Sequence, residues 1–171
     1  FFREPVGGAE FEPIRGRYLV FSRDVGGGEF FQYYRYDLDG GLHGARESLL
    51  TDGASRNTDA RWSPDGRRLG YGSTRRNGRD VDLWLVEPAE PKSTRLLAEL
   101  DGGGWSALDW SPDGQRLLLR NYFSINKADL WLLAVSTGIK TRLAPQDAAG
   151  QVAYLTGRVR RDGPAVYATT D

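Results

Sequence analysis

Cysteine and methionine are absent from this chain of 171 residues, and His43 is its only histidine. Without a thiol the chain can form no disulfide, no thiolate nucleophile and no cysteine metal site. A closed zinc site needs three or four nitrogen or sulfur ligands, which a single histidine cannot supply. Absence of cysteine is compatible with both the cytoplasm and the periplasm, so the localisation stays open.

The chain also lacks a net charge and a long apolar run. Its 23 basic and 23 acidic side chains balance, so nothing electrostatic favours nucleic acid or an anionic membrane as a partner, and we expect neither. The apolar runs are far shorter than the roughly 20 residues that cross a bilayer. Three arginine pairs lie among acidic residues, and we expect them to be solvated charges at turns and strand edges: residues 67–68, 75–76 and 160–161.

The first residues, Phe1-Phe2-Arg3, provide neither an initiator methionine nor a signal sequence. We therefore expect the chain to be a fragment of a longer polypeptide. Its five tryptophans, eight tyrosines and seven phenylalanines favour a sheet-rich core, because aromatic side chains fit pleated, half-buried surfaces.

What the sequence does contain is a repeat. The pentapeptide WSPDG occurs at residues 62–66 and again at residues 110–114, 48 positions later, and a Leu-Trp pair follows each copy at residues 83–84 and 130–131. Aligned on the turn glycine, four units appear, spaced by 50, 48 and 49 residues at Gly16, Gly66, Gly114 and Gly163. Short strand-like runs repeated at this period indicate the blades of a β-propeller.

Each complete unit shows four strand-like runs, and no helical periodicity is sustained anywhere. We therefore predict an all-β partial propeller of about three and a half four-stranded antiparallel blades. The predicted blades are residues 9–51, 58–99 and 106–143, with half a blade at 151–171, in one domain spanning residues 1–171. Within the run at residues 30–37 we expect Phe30, Gln32, Tyr34 and Tyr36 to share one face.

The WSPDG turn has a mechanical basis. Pro64 presets φ for a type I turn, Ser63 can bond to the turn backbone, and Gly66 leaves the turn without steric cost. The tryptophans before the two turns, Trp62 and Trp110, could form a ligand-stacking platform or pack between blades. Their identical placement in successive units favours packing.

The units resemble two groups of propellers built on Asp-Gly-type repeats. One is the periplasmic propeller of the Tol system, and the other is the N-terminal propeller of the prolyl oligopeptidase family of serine peptidases. The second resemblance covers nearly the whole chain. Within that family the chain is similar to the bacterial dipeptidyl or acyl aminopeptidase-type members. Three long segments carry it: FSRDVGGGEFFQYYRYD (residues 21–37), LLTDGASRNTDARWSPDGRRLGYGSTRRNGRDVDLW (49–84) and GGGWSALDWSPDGQRLLL (102–119).

This resemblance implies a non-catalytic propeller that gates or docks short peptides for an α/β-hydrolase domain of the same parent chain. The serine nucleophile elbow G-x-S-x-G is missing, and the nearest segment, residues 104–108, ends in Leu108 where the second glycine is required. The alternative is a Tol-like periplasmic scaffold that binds protein partners. A propeller-based polysaccharide lyase is a weaker third interpretation, because such an enzyme would require a cluster of histidine and other metal ligands that this chain lacks.

Other candidate sites have simpler structural explanations. We expect His43 to lie in a variable loop, Asp37 and Asp39 to belong to a hairpin turn instead of a calcium loop, and the pair Asp80 and Asp82 to be solvated. The glycine runs 26–28 and 102–104 lack the sequence of a phosphate-binding loop and indicate flexible connections. We therefore predict no catalytic, cofactor-binding or metal-binding residue and no cofactor.

Two loops remain candidates for contact with a ligand. Residues 24–29 and 75–80 occupy equivalent places between the second and third strands of successive units. Loops at the mouth of a propeller channel are where such folds bind partners. The mixed arginine and aspartate side chains there could contact the charged ends of a peptide.

Overall fold

The computed structural model describes residues 4–39, 47–143, 152–163 and 165–170. Within these ranges the chain forms strands and no helix, so no described helix could span a membrane. The strands are β1 (Val6–Phe11), β2 (Tyr18–Arg23), β3 (Gln32–Asp37), β4 (Glu47–Leu49), β5 (Asn57–Trp62), β6 (Leu69–Ser73), β7 (Asp82–Glu87), β8 (Glu90–Ala98), β9 (Trp105–Trp110), β10 (Arg116–Ser124), β11 (Lys127–Ala134), β12 (Lys140–Arg142), β13 (Tyr154–Val159) and β14 (Val166–Thr170).

Consecutive strands pair antiparallel into four sheets. Three are four-stranded meanders, β1-β2-β3-β4, β5-β6-β7-β8 and β9-β10-β11-β12, and the fourth consists of β13 and β14. The first strands of neighbouring sheets contact each other, β5 against β9 and β9 against β13. Sheets that meet along their first strands are arranged like propeller blades around an axis. The predicted fold class, an all-β partial propeller, is confirmed.

The two WSPDG turns are built by the same hydrogen bonds. Ser63 Oγ donates to Asp65 Oδ1 over 2.5 Å and accepts from the backbone N–H of Arg68 over 2.9 Å. Ser111 makes the corresponding bonds to Asp113 and to the N–H of Arg116, at 2.5 and 2.8 Å. Each turn therefore joins the first two strands of its sheet through a serine bonded on both sides.

Successive turns also touch each other. A methyl group at Gly66 would lie 2.7 Å from Ile14 Cγ1 in the turn of the preceding sheet, and one at Gly114 would lie 3.2 Å from an Arg68 nitrogen. Both glycines also have positive φ, 66° and 65°, which favours glycine independently. Arg68 donates to the carbonyl of Gly114 over 3.1 Å and lies over the ring of Trp110. Arg68 is therefore a link between sheets, and its predicted solvated role is wrong.

Two apolar clusters join the four-stranded sheets. The cluster between the first and second sheets is rich in tyrosine, and Trp62 and Trp84 pack at its edge. The cluster between the second and third sheets is built mainly from leucines with two tryptophans. Trp110 is 4% exposed and donates its indole N–H to the carbonyl of Arg61 in the preceding sheet over 2.9 Å. This geometry agrees with the packing role predicted for the tryptophans before the turns.

The start of β3 differs from the sequence prediction. The strand begins at Gln32, and Phe30 lies outside it with 46% of its surface exposed. Gln32 is completely buried and bonds to the Ser55 carbonyl over 2.7 Å and to the Thr51 hydroxyl over 2.7 Å. A buried amide satisfied by the chain segment that leads to the next sheet therefore occupies a position predicted to continue an aromatic face.

Candidate functional site

Both candidate loops lie where they were predicted, between the second and third strands of their sheets, β2–β3 and β6–β7. The loop at residues 75–80 is anchored by two carboxylates. Asp82 is completely buried, accepts two hydrogen bonds from Arg76 at 2.7 and 3.0 Å, and accepts the backbone N–H of Leu100 over 2.8 Å. The loop is therefore tied both to its own sheet and to the connection that leads to the next one.

Asp80 is the second anchor of the same loop. Its carboxylate is bonded by Arg79, by the Asn77 amide over 2.8 Å and by the backbone N–H of Gly102 over 3.1 Å. The hydrogen bonds from Arg79 and Asn77 lower the pKa of Asp80 to about 2. The prediction that Asp80 and Asp82 are solvated is wrong, because both carboxylates are buried and form ion pairs with arginines. Arg76 is likewise an ion-pair partner instead of a solvated charge.

The loop at residues 24–29 is shaped by its glycines. Gly26 and Gly27 have φ angles of 77° and 74°, and Glu29 adopts a φ of 59° that is unusual for a residue with a side chain. Asp24 at the start of the loop is buried, and its backbone N–H donates to the Pro5 carbonyl over 3.3 Å. Three of the six residues in this loop therefore have a positive φ.

A cleft of about 440 Å³ opens beside the loop at residues 75–80. The β6–β7 loop contributes Arg79, and the segment that ends at the first strand of the third sheet contributes Gly103 and Gly104. The starts of the first strands β5 and β9 also line it, through Asp59 and Ser106. Because first strands surround the propeller axis, this cleft lies at the mouth of the channel.

Asp59 marks an irregularity at this mouth. The pairing of β5 with β6 shifts register between Thr58 and Arg61, and Asp59 within the bulge has a φ of 53°. Bulges re-aim side chains near functional sites, and left-handed conformations at non-glycine residues cluster there. The next residue, Ala60, donates its backbone N–H to the Tyr33 hydroxyl over 3.2 Å. Burial raises the pKa of Tyr33 to about 12, so this phenol stays neutral.

A second cleft of about 400 Å³ lies between the first and second sheets. Strands β1 and β2 line one side, with Glu10 and Ser22, and β5 lines the other, with Arg61 and Trp62. Tyr33 also lines the cleft, and its hydroxyl accepts the backbone N–H of Ala60 from the other side. The first two sheets are therefore bridged by tyrosine side chains beside an open gap.

The remaining predicted candidates are placed as follows. Ser106 lies inside β9, so residues 104–108 are no strand-to-helix elbow. Asp37 pairs with Arg35, and His43 lies outside the described residues. Among the side chains that the structure describes, no group of three or more histidines or carboxylates is placed to hold a metal ion.

Sequence reasoning missed the cleft itself. Its lining comes from three sheets and includes Arg56, Arg79, Arg120, Phe30 and Tyr122, which are separated by up to 92 positions in the chain. The sequence pointed only to the recurring loop between the second and third strands. That loop forms one wall of the cleft, through Gly78 and Arg79.

No protein family profile matches the chain. Among curated proteins it is 41% identical over 69 residues to the uncharacterized peptidase YuxL of Bacillus subtilis (strain 168). That match covers 40% of this chain and 10% of YuxL. The chain thus spans a small part of the curated relative that it matches.

Solved structures share the fold over almost the entire chain. A protein assigned as TolB from Agrobacterium tumefaciens superposes with a TM-score of 0.68 at 19% identity, covering 99% of this chain and 55% of that one. Puromycin hydrolase gives 0.66 at 18% identity, covering 97% and 25%. Oligopeptidase B of Leishmania major gives 0.60 at 19% identity, covering 90% and 21%.

These similarities to solved structures concern the fold, since their sequence identities are low. Structures with the same fold include several peptidases of the prolyl oligopeptidase type, prolyl endopeptidases among them, and the curated relative is also a peptidase. The chain is a partial β-propeller, and the predicted resemblance to the propeller regions of the prolyl oligopeptidase family is confirmed.

Proposed function

We propose that this chain is the propeller region of a serine peptidase of the prolyl oligopeptidase type. In this role it has no catalytic centre of its own and gates or docks short peptides for an α/β-hydrolase domain of the same parent protein. The observation that carries the proposal is the 41% identity to a peptidase over 69 residues. The likeness to puromycin hydrolase and oligopeptidase B supports the same class.

The architecture is suited to such a role. Charged side chains gather at the channel mouth, where the cleft of about 440 Å³ can hold a few residues of an extended chain. The anchored loop at residues 75–80 keeps that opening narrow, because Asp80 and Asp82 bind it to two sheets. A narrow, polar entrance admits short peptides and excludes folded proteins.

The first test uses the full-length parent protein. We expect it to hydrolyse short chromogenic peptides, to leave a folded protein such as native albumin intact, and to react at a single serine with a fluorophosphonate probe. A parent chain without fluorophosphonate labelling and without peptide turnover would contradict the proposal.

The gating role has its own test. Tyr33→Phe removes the hydroxyl with which the first sheet accepts the N–H of Ala60 in the second sheet. We expect this variant of the parent enzyme to cleave longer peptides more readily. Tyr36→Phe, in the same strand and half-buried, is the matched control and should leave the length preference unchanged. An identical length preference in both variants and the native enzyme would argue against gating at this gap.

A second candidate function is a Tol-like scaffold that binds protein partners. The TM-score of 0.68 to the Agrobacterium protein assigned as TolB favours it. It predicts that the parent chain encodes no hydrolase domain. The parent open reading frame separates the two proposals directly.

A further inference from the structure

Both ends of each four-stranded sheet lie at the mouth end of the propeller, the end that carries the cleft of about 440 Å³. In a meander of four antiparallel strands, the first strand begins and the fourth strand finishes at the same end. Two hydrogen bonds identify this end. Pro5, just before β1, accepts the N–H of Asp24 in the β2–β3 loop, and Leu100, just after β8, donates its N–H to Asp82 at the start of β7. A domain joined before the first blade or after the last blade therefore enters at the mouth end.

The third sheet projects at this end as a regular hairpin. Strands β10 and β11 pair up to Ser124 and Lys127 around a two-residue turn, whereas β10 pairs with β9 only as far as Asn121. The equivalent connections of the first and second sheets are loops of eight residues. The last part of the hairpin, residues 123–127, is called the hairpin tip below. It extends past the first strand of its own sheet.

The hairpin tip is apolar. Ile125 in the turn is 76% exposed, more than any other large apolar side chain that the structure describes, and Phe123 is 53% exposed. Glycine, asparagine, aspartate, serine and proline dominate tight turns, so the turn itself gives no reason for a β-branched apolar residue. Exposed apolar side chains grouped on one projection mark an interaction site. Lys127, whose Nζ lies 5.1 Å from the centre of the Phe123 ring, adds a positive charge beside them.

We propose that Phe123 and Ile125 dock into an apolar groove of the α/β-hydrolase domain of the parent chain, with Lys127 facing a carboxylate at the rim of that groove. The identity of this partner rests on the proposed function. This chain spans 25% of puromycin hydrolase and 21% of oligopeptidase B, so most of each of those proteins lies outside the part that it matches. A hydrolase domain joined at the mouth end lies on the side toward which the hairpin projects. The two-residue turn holds the tip in place before docking, so little conformational freedom is lost on binding.

Docking at the hairpin tip also places the cleft between the two domains. Tyr122, the residue before the tip, lines the cleft of about 440 Å³. A hydrolase domain held by the tip therefore covers the cleft, and a peptide bound there lies between propeller and hydrolase. The hairpin thus sets how closely the two domains approach each other where peptides are docked.

The first test places a photoreactive group on the hairpin tip of the full-length parent protein. Ile125 is replaced by p-benzoylphenylalanine, and crosslinked peptides are identified by mass spectrometry after irradiation. We expect crosslinks within one chain, from position 125 to the hydrolase domain.

Ile139 receives the same replacement as a matched control. It is 66% exposed and lies in the next turn of the same sheet, at the opposite end of the propeller. The bond from the Val135 N–H to the Gln115 carbonyl holds that turn beside the second WSPDG turn. Position 139 should give no crosslink to the hydrolase domain.

Three results of this experiment would overturn the proposal. They are the absence of any crosslink from position 125 to the hydrolase domain, equal crosslinking from position 139, and crosslinks from position 125 that join two copies of the chain. The third result would assign the hairpin tip to a dimer interface.

A second measurement tests the apolar contact itself. Ile125→Ser should leave the propeller folded, because the side chain is exposed in this chain. In the parent protein we expect amide hydrogen exchange to accelerate about tenfold or more, both in the hairpin tip and in the hydrolase segment that crosslinks to it, because the burial of one isoleucine side chain is lost. Ile139→Ser is the control and should leave exchange at both places unchanged. Equal exchange rates in the Ile125→Ser variant and the native protein would contradict docking through this side chain.

Failure of this proposal is distinguishable from failure of the proposed function. A parent protein that hydrolyses chromogenic peptides and reacts at one serine with a fluorophosphonate, but forms no crosslink between position 125 and the hydrolase domain, would overturn the docking contact alone. A parent protein without a hydrolase domain would overturn the proposed function and, with it, the docking partner.

Discussion

Arg76 donates two hydrogen bonds to the carboxylate of Asp82, at 2.7 and 3.0 Å, and the Asp82 side chain is completely buried. The same carboxylate accepts the backbone N–H of Leu100. One side chain therefore fixes the β6–β7 loop against the connection to the third sheet.

Asp82→Asn should destabilise the propeller by roughly 3 kcal/mol, because a buried ion pair loses one partner while the other remains. Denaturant unfolding of the parent protein, followed by tryptophan fluorescence, measures the loss. Asp101→Asn, an exposed carboxylate in the same connection, serves as the control and should change stability little. An equal effect of both substitutions would mean that the ion pair contributes nothing specific.

Gly104→Ala should disrupt the start of β9. A methyl group there would lie 2.0 Å from the Tyr122 carbonyl oxygen, which is backbone and cannot move aside. We expect a loss of about 3 kcal/mol or more, as for other overpacked positions. Gly103→Ala is the matched control, since the nearest atom to its added methyl lies 3.9 Å away. Thermal unfolding of the two variants should differ clearly, and equal melting temperatures would contradict the close approach.

Asp113 should make the stability of the third sheet depend on pH. The Ser111 hydroxyl and the Gln115 N–H lower its pKa below the unfolded value of about 3.9. The ionised carboxylate therefore stabilises the fold above that unfolded value, and this stabilisation disappears as the pH falls through the lower folded value. Asp113→Asn should be less stable than the native protein at about pH 7, with the difference shrinking below about pH 4. Urea unfolding across this range checks the sign, and a difference that grows on acidification would contradict it.

Trp84→Ala should destabilise the junction of the first two sheets. The indole packs against the tyrosine-rich cluster, and Arg75 lies over its ring at 4.9 Å. Removing a large packed aromatic costs roughly 3–5 kcal/mol, and the lower end is expected here because Trp84 is only partly buried. Calorimetric unfolding of the parent protein measures the change. Tyr122→Ala, an exposed aromatic on β10, is the control, and a similar shift in both would indicate that Trp84 does not support the junction.

The fold was predictable because its determinants are local. Pro64 and Gly66 specify a turn within five residues, and the same pentapeptide at Gly114 repeats it, so period and strand count could be read directly. The first unit lacks the pentapeptide and was located by its turn glycine, Gly16, alone. There Glu12 replaces the serine, and its carboxylate accepts the N–H groups of Ile14 and Arg15, a different local bonding pattern that the sequence alignment did not predict.

The candidate site was less predictable because its partners are distant in the chain. Asp82 was expected to be solvated, yet its acceptor role depends on Leu100, 18 positions away. Ser106 and Arg120 become neighbours only through the β9–β10 register. Alternating patterns describe one strand at a time, so they cannot reveal which polar side chains meet across a sheet or between sheets.

The contacts of Gly66 with Ile14 and of Gly114 with Arg68 mean that the repeats are not free to diverge one at a time. A bulkier residue at either turn would push against the preceding unit and splay two blades apart. We therefore expect substitutions at these turns to occur in pairs across a blade boundary. A larger side chain at one turn should be accompanied by a smaller one at the residue that it contacts in the preceding blade.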